Sequence, residues 1–175
     1  MARNVEIKAQ VRDLAGLYVR AQKIATDGPI EMVQDDTFFN CPNGRLKLRM
    51  FSDSAGELIF YLRPDSRGPK ESQYLITATS SPLELRETLA EALGECGRVR
   101  KRRTVFHVGR TRIHLDEVEG LGAFMELEVV LSEGETVAEG TGVAHRIMDA
   151  LGICDEDLID KAYIDLLKEG RGDGV

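Results

Sequence analysis

From Asn4 to Val11 polar and apolar residues alternate, with Asn4, Glu6, Lys8 and Gln10 set against Val5, Ile7, Ala9 and Val11. Side chains on a strand repeat every two residues, so the pattern predicts a strand with one apolar face. After Asp13 the period changes. Leu14, Leu17, Tyr18, Ala21 and Ile24 recur at helical spacing, and Asp13 is placed to cap that helix. Further strands are predicted at Ile30–Phe39, Gly44–Phe51, Leu58–Arg63 and Gln73–Thr77, broken by Pro42-Asn43-Gly44, Ser54-Ala55-Gly56 and the Pro64–Pro69 loop. Ser81-Pro82-Leu83-Glu84 has capping-box spacing with proline at the first helical position, and it opens a helix to Leu93 that Gly94 ends. Val99–Val108, Thr111–Val118 and Ala123–Leu131 read as three more strands. Ser132 to Glu135 repeats the capping-box spacing ahead of a helix reaching Leu151, and Asp155-Glu156-Asp157 is placed to cap a short final helix. Eight strands and three principal helices result.

The polar faces of these strands are charged. By parity Glu6 and Lys8 share a face, as do Arg45, Lys47 and Arg49; Lys101 and Arg103; Arg112, His114 and Asp116; and Glu126 and Glu128, with Arg63 ending its own strand. The opposite positions are apolar, as in Leu46, Leu48 and Met50 or Leu127, Val129 and Leu131. The ordinary reading is an antiparallel sheet with helices on one side and water on the other. Against it, cations cluster on some strands and carboxylates on others, and like charges side by side cost energy unless a ligand offsets them. A sheet closed into a barrel would turn those faces into a polar tunnel with the helices packed outside.

Composition narrows the function. The 175 residues make one domain, residues 1–175, the default, with Gly170–Val175 read as a frayed tail. A net charge of −7 disfavours nonspecific nucleic-acid binding. That average hides a division: Arg98 to Arg112 holds seven Lys or Arg, whereas between Arg112 and Arg146 there are eight Asp or Glu and no Lys or Arg. The three cysteines show no CxxC spacing, which argues against a disulfide framework or zinc ribbon and fits a reducing cytoplasm. No apolar run approaches a membrane span, and the first residues do not read as a secretory leader. A triphosphate needs several Lys or Arg for its oxygens and carboxylates for Mg²⁺ or Mn²⁺, and the chain carries both sets. It lacks a GxxxxGK[ST] loop and a serine-nucleophile elbow, so phosphate would be held by side chains.

An ordered series of motifs strengthens this reading: Glu6-Ile7-Lys8, Gly44-Arg45-Leu46-Lys47-Leu48-Arg49, Tyr61-Leu62-Arg63-Pro64, Val99-Arg100-Lys101-Arg102-Arg103, His114-Leu115-Asp116-Glu117-Val118-Glu119-Gly120-Leu121-Gly122, Phe124-Met125-Glu126-Leu127-Glu128 and Ala162-Tyr163-Ile164-Asp165-Leu166-Leu167. The series resembles the CYTH superfamily, the triphosphate tunnel metalloenzymes, which includes class IV adenylate cyclases, thiamine triphosphatases and inorganic triphosphatases. The resemblance implies an α+β fold built on an eight-stranded antiparallel β-barrel tunnel with helices outside. It implies metal ligation and catalysis by Glu6, Glu126 and Glu128 with Asp116 near them. It also implies a triphosphate grip by Lys8, Lys47, Arg49, Arg63, Lys101 and Arg103, with Arg112 on the same face and Lys161 as a late contributor. The first glutamate of the family's ExExK is Asn4 here, an uncharged ligand at most. Without metal, Glu126 and Glu128 are expected to repel each other.

His114, between Arg112 and Asp116, is the candidate general acid or base; His107 shares parity with Lys101 and Arg103, and His145 falls within the last long helix, as a surface or packing residue. No His or Asp spacing supports a cysteine nucleophile. The expected activity is metal-dependent hydrolysis of inorganic tripolyphosphate or of a nucleoside or thiamine triphosphate. Class IV-type adenylate cyclisation and noncatalytic polyphosphate or nucleotide binding are the alternatives. The expected partner is a small triphosphate compound, with no nucleic acid and no membrane, and a homodimer is left open.

Overall fold

The computed structural model describes residues 1–172, with side chains through Gly170. In chain order the elements are β1 (Ala2–Gln10), α1 (Leu14–Ile24), β2 (Asp27–Phe39), β3 (Arg45–Ser52), β4 (Ala55–Leu62), β5 (Lys70–Thr79), α2 (Pro82–Leu93), β6 (Glu95–Val108), β7 (Thr111–Val118), β8 (Gly122–Val130), α3 (Val137–Leu151), a 3-10 turn at Asp155–Asp157 and α4 (Tyr163–Gly172). The eight strands close into one antiparallel barrel in the order β1-β5-β4-β3-β2-β6-β7-β8. Three of its seams join strands distant in sequence. β2 pairs with β6, and β1 with both β5 and β8.

The apolar parity of the strands faces outward, and helices cover it. The largest core lies between the barrel wall and α1 and α3, where Val5, Ile7, Ile113 and Leu127 meet Leu17, Ala21, Ala144, Ile147 and Leu151. Truncating one such fully buried leucine costs about 2 to 5 kcal/mol. Helix α3 approaches closely because Gly140 has no side chain: a Cβ there would lie 2.6 Å from Leu131 Cδ2 and 2.9 Å from Val5 Cγ2. Helix α2 covers Phe39, Leu48 and Met50. No helix among the described residues is long and apolar enough to cross a membrane.

Several boundaries differ from the sequence expectation, each for a local reason. β2 and β6 run beyond their patterned cores, to 13 and 14 residues, because each supplies the other's hydrogen bonds along nearly its whole length. Asp13 caps α1 as expected, accepting from Gly16 N at 2.9 Å. Ser81 makes no side-chain cap bond, so Pro82 alone marks the start of α2. Ser132–Glu135 forms a turn, since Gly134 at φ +78° breaks any helix there. The capping box belongs to Thr136 and Glu139, and α3 starts five residues after Ser132, at Val137. Asp155, Glu156 and Asp157 form the 3-10 turn itself and do not cap α4. Of the tail expected from Gly170, residues 170–172 are helical and 173–175 lie outside the described residues.

Candidate active site

The inward parity of the strands gathers the charged residues into one cavity of about 380 Å³. Seven Lys or Arg and five Asp or Glu line it, giving a positive lumen, opposite in sign to the whole chain's net −7. Lys8, Lys47, Arg49, Arg63, Lys101, Arg103 and Arg112 are all brought to this wall, as are Glu6, His114, Glu126 and Glu128.

Strand register decides which charges meet. Across β1 and β8, Glu6 lies opposite Glu128 and Lys8 opposite Glu126; across β7 and β8, Arg112 lies opposite Glu128 and His114 opposite Glu126. Lys8 Nζ is 2.9 Å from Glu126 Oε1. Arg103 Nη2 donates to Glu126 Oε2 at 2.5 Å, and Arg112 Nε to Glu128 Oε2 at 2.8 Å. The late carboxylates are therefore paired, and the expected unrelieved repulsion is overturned. Burial opposes the charge of Glu126, yet Lys8 and Arg103 hold its carboxyl well below the usual range; burial likewise opposes that of Glu128, which His114 and Arg112 hold down.

His114 Nδ1 is buried with no hydrogen-bond partner, 3.8 Å from Glu126 Oε2 and 3.9 Å from Glu128 Oε1. Burial, then Arg103, lowers the imidazole's pKa, with Glu128, Glu126 and Asp116 acting against the fall; in its neutral form the ring offers a free lone pair. These three side chains offer ligand atoms within 4.8 Å of one another. An orphaned imidazole nitrogen beside two ionised carboxylates fits a divalent cation.

The ligand set expected from sequence is rearranged. Asp116 is fully buried and already occupied: Arg103 Nε and Nη2 donate to its two oxygens at 2.6 Å each, and Tyr163 Oη donates to Oδ2 at 2.9 Å. It anchors Arg103 and is not free to ligate. Glu6 Oε1 accepts from Arg63 Nη1 at 2.8 Å. Burial raises the pKa of Glu6 against the pull of Arg63, with Glu128 adding to the rise. Asn4 Oδ1 and Arg63 Nε and Nη2 are buried without hydrogen-bond partners on the same wall, unfilled valences that a polar ligand can complete.

Opposite this group sits a carboxylate absent from the sequence expectation. Asp36 of β2, 1% exposed, accepts from Lys47 Nζ at 2.8 Å, from Arg49 Nε and Nη2 at 2.8 Å each, and from Lys101 Nζ at 3.5 Å. Burial opposes its charge, but Arg49, Lys47 and Lys101 together hold it well below the usual carboxylate range. Lys101 is pushed down to about 7, by burial first and by Arg103 and Arg49 after it, with Asp36 acting against the fall. The signal was parity: Gln34, Asp36 and Phe38 share the inward face of β2.

The segment entering α4 lines one end of the tunnel. Ala162, Tyr163 and Ile164 pack against Phe38, Val99, Val118 and Phe124, and Lys8 Nζ lies 3.7 Å from the centre of the Tyr163 ring. Tyr163 lay in a motif the sequence singled out, but its role as a wall appears only in the fold. Lys161, expected among the phosphate contacts, is outside the tunnel, exposed and paired with Glu169 at 2.5 Å. His107 lines the cavity, His145 is exposed on α3, and the cysteines are free.

Comparison with known proteins agrees with this architecture. The PH1012 protein of Pyrococcus horikoshii OT3 superposes with a TM-score of 0.82 at 23% identity, covering 93% of this chain and 98% of that one. HpAC1 from Hippeastrum, a candidate adenylyl cyclase described as having a dominant triphosphatase activity, superposes with a TM-score of 0.65 at 16% identity, covering 97% and 96%. A Methanocaldococcus jannaschii protein named as a candidate adenylate cyclase is 24% identical over 169 residues, 93% of this chain and 97% of its own. The CYTH domain model matches residues 2–163. With a closed eight-stranded tunnel and a family match over nearly its whole length, this chain belongs to the CYTH domain family.

Proposed function

We propose that the tunnel binds the triphosphate group of a small molecule and hydrolyses its terminal phosphoanhydride with Mg²⁺ or Mn²⁺ as cofactor. The observation that carries this reading is the positive lumen, in which buried Lys and Arg surround a cluster of two carboxylates and an imidazole. Glu126, Glu128 and His114 would hold the cation, which when bound neutralises phosphate oxygens and polarises phosphorus. Lys8, Arg63 and Arg103 grip the terminal phosphate, and Lys47, Arg49 and Lys101 the remaining ones. Glu6, the tunnel carboxylate whose pKa burial raises, takes the proton of the attacking water as oxygen bonds to the terminal phosphorus. The bond from that phosphorus to the bridging oxygen breaks, and Lys101 donates a proton to the departing oxygen.

The name of the M. jannaschii relative favours a second reading, in which the ribose 3′-oxygen attacks the α-phosphorus on the same charge scaffold. The description of HpAC1 favours hydrolysis. Neither reading requires nucleic acid, a membrane or a second copy of the chain, and three free cysteines suit a reducing cytoplasm. Phosphate release and cyclic AMP formation, measured together on tripolyphosphate, ATP and thiamine triphosphate with either metal, test the proposal. Phosphate release supports it and cyclic AMP replaces it with cyclisation. Metal-dependent binding without turnover reduces the protein to a binder, the outcome that Asn4 at the first ExExK position would explain.

A further inference from the structure

Among the described residues four Lys or Arg are buried: Lys8, Lys70, Lys101 and Arg103. Three of them face a carboxylate: Lys8 meets Glu126 at 2.9 Å, Lys101 meets Asp36 at 3.5 Å and Arg103 meets Asp116 at 2.6 Å. Lys70, only 4% exposed, makes no ion pair among the described residues; its ammonium donates to the carbonyl of Ser66 in the hairpin between β4 and β5. A buried ammonium without a counter-charge is costly. Burial, then Arg63, pushes its pKa down to about 8, with Lys8 adding to the fall and Glu6 and Asp65 acting against it. Its neighbour is unfinished too. Arg63 Nη1 is spent on Glu6, but Nε and Nη2 are buried without hydrogen-bond partners, Nη2 lying 3.7 Å from Asp65 Oδ1. Strand register sets both cations at one corner. Lys70 is opposite Glu6 across β1 and β5 and two residues before Ser72, while Arg63 follows Leu62, which pairs with Gln73. Glu6, Arg63 and Ser72 line the cavity, so the corner opens to it.

We infer that Lys70 and Arg63 form a seat for a free orthophosphate ion in this corner, beside the place of the substrate's terminal phosphate. This rests on the triphosphate reading of the tunnel, in which hydrolysis releases one orthophosphate next to Arg63. The donor set suits a single tetrahedral oxyanion. Nε and Nη2 share one edge of the guanidinium, the geometry of a bidentate phosphate contact, and the Lys70 ammonium takes a further oxygen by turning from Ser66. The Ser72 hydroxyl, on the same wall, offers one more donor. Glu6 and Asp65 offset part of the positive charge, Asp65 being shared with Arg45 at 3.1 Å, which keeps the ion exchangeable. Passage of the product into this seat empties the terminal position before the longer product leaves.

The test is titration calorimetry without added metal, with orthophosphate and with tripolyphosphate, on the parent and on Lys70→Gln, Lys70→Met and Lys70→Arg. Gln keeps a donor for the Ser66 carbonyl and Met keeps the apolar stem, so two charge-free variants separate the charge from the hairpin contact; thermal melting checks each, and either one carries the test. Both should weaken orthophosphate binding about tenfold, the loss of one charge-assisted contact. Tripolyphosphate, gripped by other cations, should stay within about threefold, and Lys70→Arg should bring orthophosphate back to within about threefold of the parent. Inhibition of tripolyphosphate turnover by added orthophosphate should weaken by the same factor as its binding. An equal loss for tripolyphosphate, no loss for orthophosphate, or inhibition that does not follow the binding loss overturns the inference and leaves the triphosphate reading standing. A parent that binds neither anion overturns both.

Discussion

Replacing Asp36 by Asn removes one charge and almost no volume, so it isolates what that carboxylate does. In the parent it accepts bonds from Lys47, Arg49 and Lys101 at 2.8 to 3.5 Å while itself only 1% exposed. Without it three cations, Lys101 buried and Lys47 and Arg49 half-buried, face one another uncompensated. Removing one partner of a buried ion pair costs about 3 to 5 kcal/mol, and because the Asn amide oxygen still accepts a bond we take the lower end, about 3 kcal/mol. For a chain of this size that is roughly 6 to 12 °C in melting temperature. The pH dependence gives a sharper signature. The folded pKa of Asp36 is depressed, so its stabilisation is present above the ordinary Asp value of 3.8 and is lost as pH falls toward the depressed one. The gap in melting temperature between parent and Asp36→Asn should therefore be full at pH 7 and narrow in acid below about pH 4. Saturating tripolyphosphate should also protect the variant more than the parent, since the ligand supplies the missing counter-charge. Scanning calorimetry at several pH values, with and without tripolyphosphate, makes the measurement. A gap under about 2 °C, or one constant across pH, would refute the counter-ion argument.

Three further outcomes follow from the same geometry. Lys101 is pushed down to about 7, so its charge is present below that pH and lost above it. Tripolyphosphate affinity should fall from pH 6 to pH 8, and Lys101→Arg should flatten the fall relative to the parent; an identical slope in both removes Lys101 from the anion site. Glu126→Gln should abolish metal-dependent turnover and also lower the melting temperature, because it strips Lys8 and Arg103 of a shared acceptor worth about 1.5 to 3 kcal/mol. A stabilised variant would restore the repulsion picture that the ion pairs displaced. Asn4→Glu should tighten Mn²⁺ binding by roughly tenfold or more in a calorimetric titration, since Asn4 is buried on the tunnel wall with an unpartnered oxygen. If Mn²⁺ affinity does not move there while Glu128→Gln weakens it, position 4 lies beyond reach of the cation.

How much of this was legible in sequence depended on whether the signal was local. Parity along a single strand was enough to put Lys47 with Arg49 and Glu126 with Glu128 on one face, and to turn Leu127 and Val129 the other way. Asp13 before a helical period was enough for the first cap. Partnership across the barrel was not local. That Lys8 would meet Glu126, or that Asp116 would be consumed by Arg103 and Tyr163, depends on register between strands many residues apart. Asp36 was not legible because it stands beside Asp35 in a stretch of mixed polarity, Met32 to Phe38, and such a pair resembles solvated surface until β3 and β6 bring cations to Asp36 from both sides. Lys161 erred in the other direction: adjacency to a motif placed it near the site in sequence, but it precedes the turn into α4 and points its charge at Glu169.

Each cation lining the lumen is already paired: Lys8 with Glu126, Arg63 with Glu6, Arg112 with Glu128, Arg103 with Asp116, and Lys47, Arg49 and Lys101 with Asp36. An arriving phosphate chain therefore meets no bare charge and exchanges one partner for another. Its gain is the difference between two sets of ion pairs, not the sum of a new set. Salt screens both sets, so it would weaken binding less than a count of seven cations suggests.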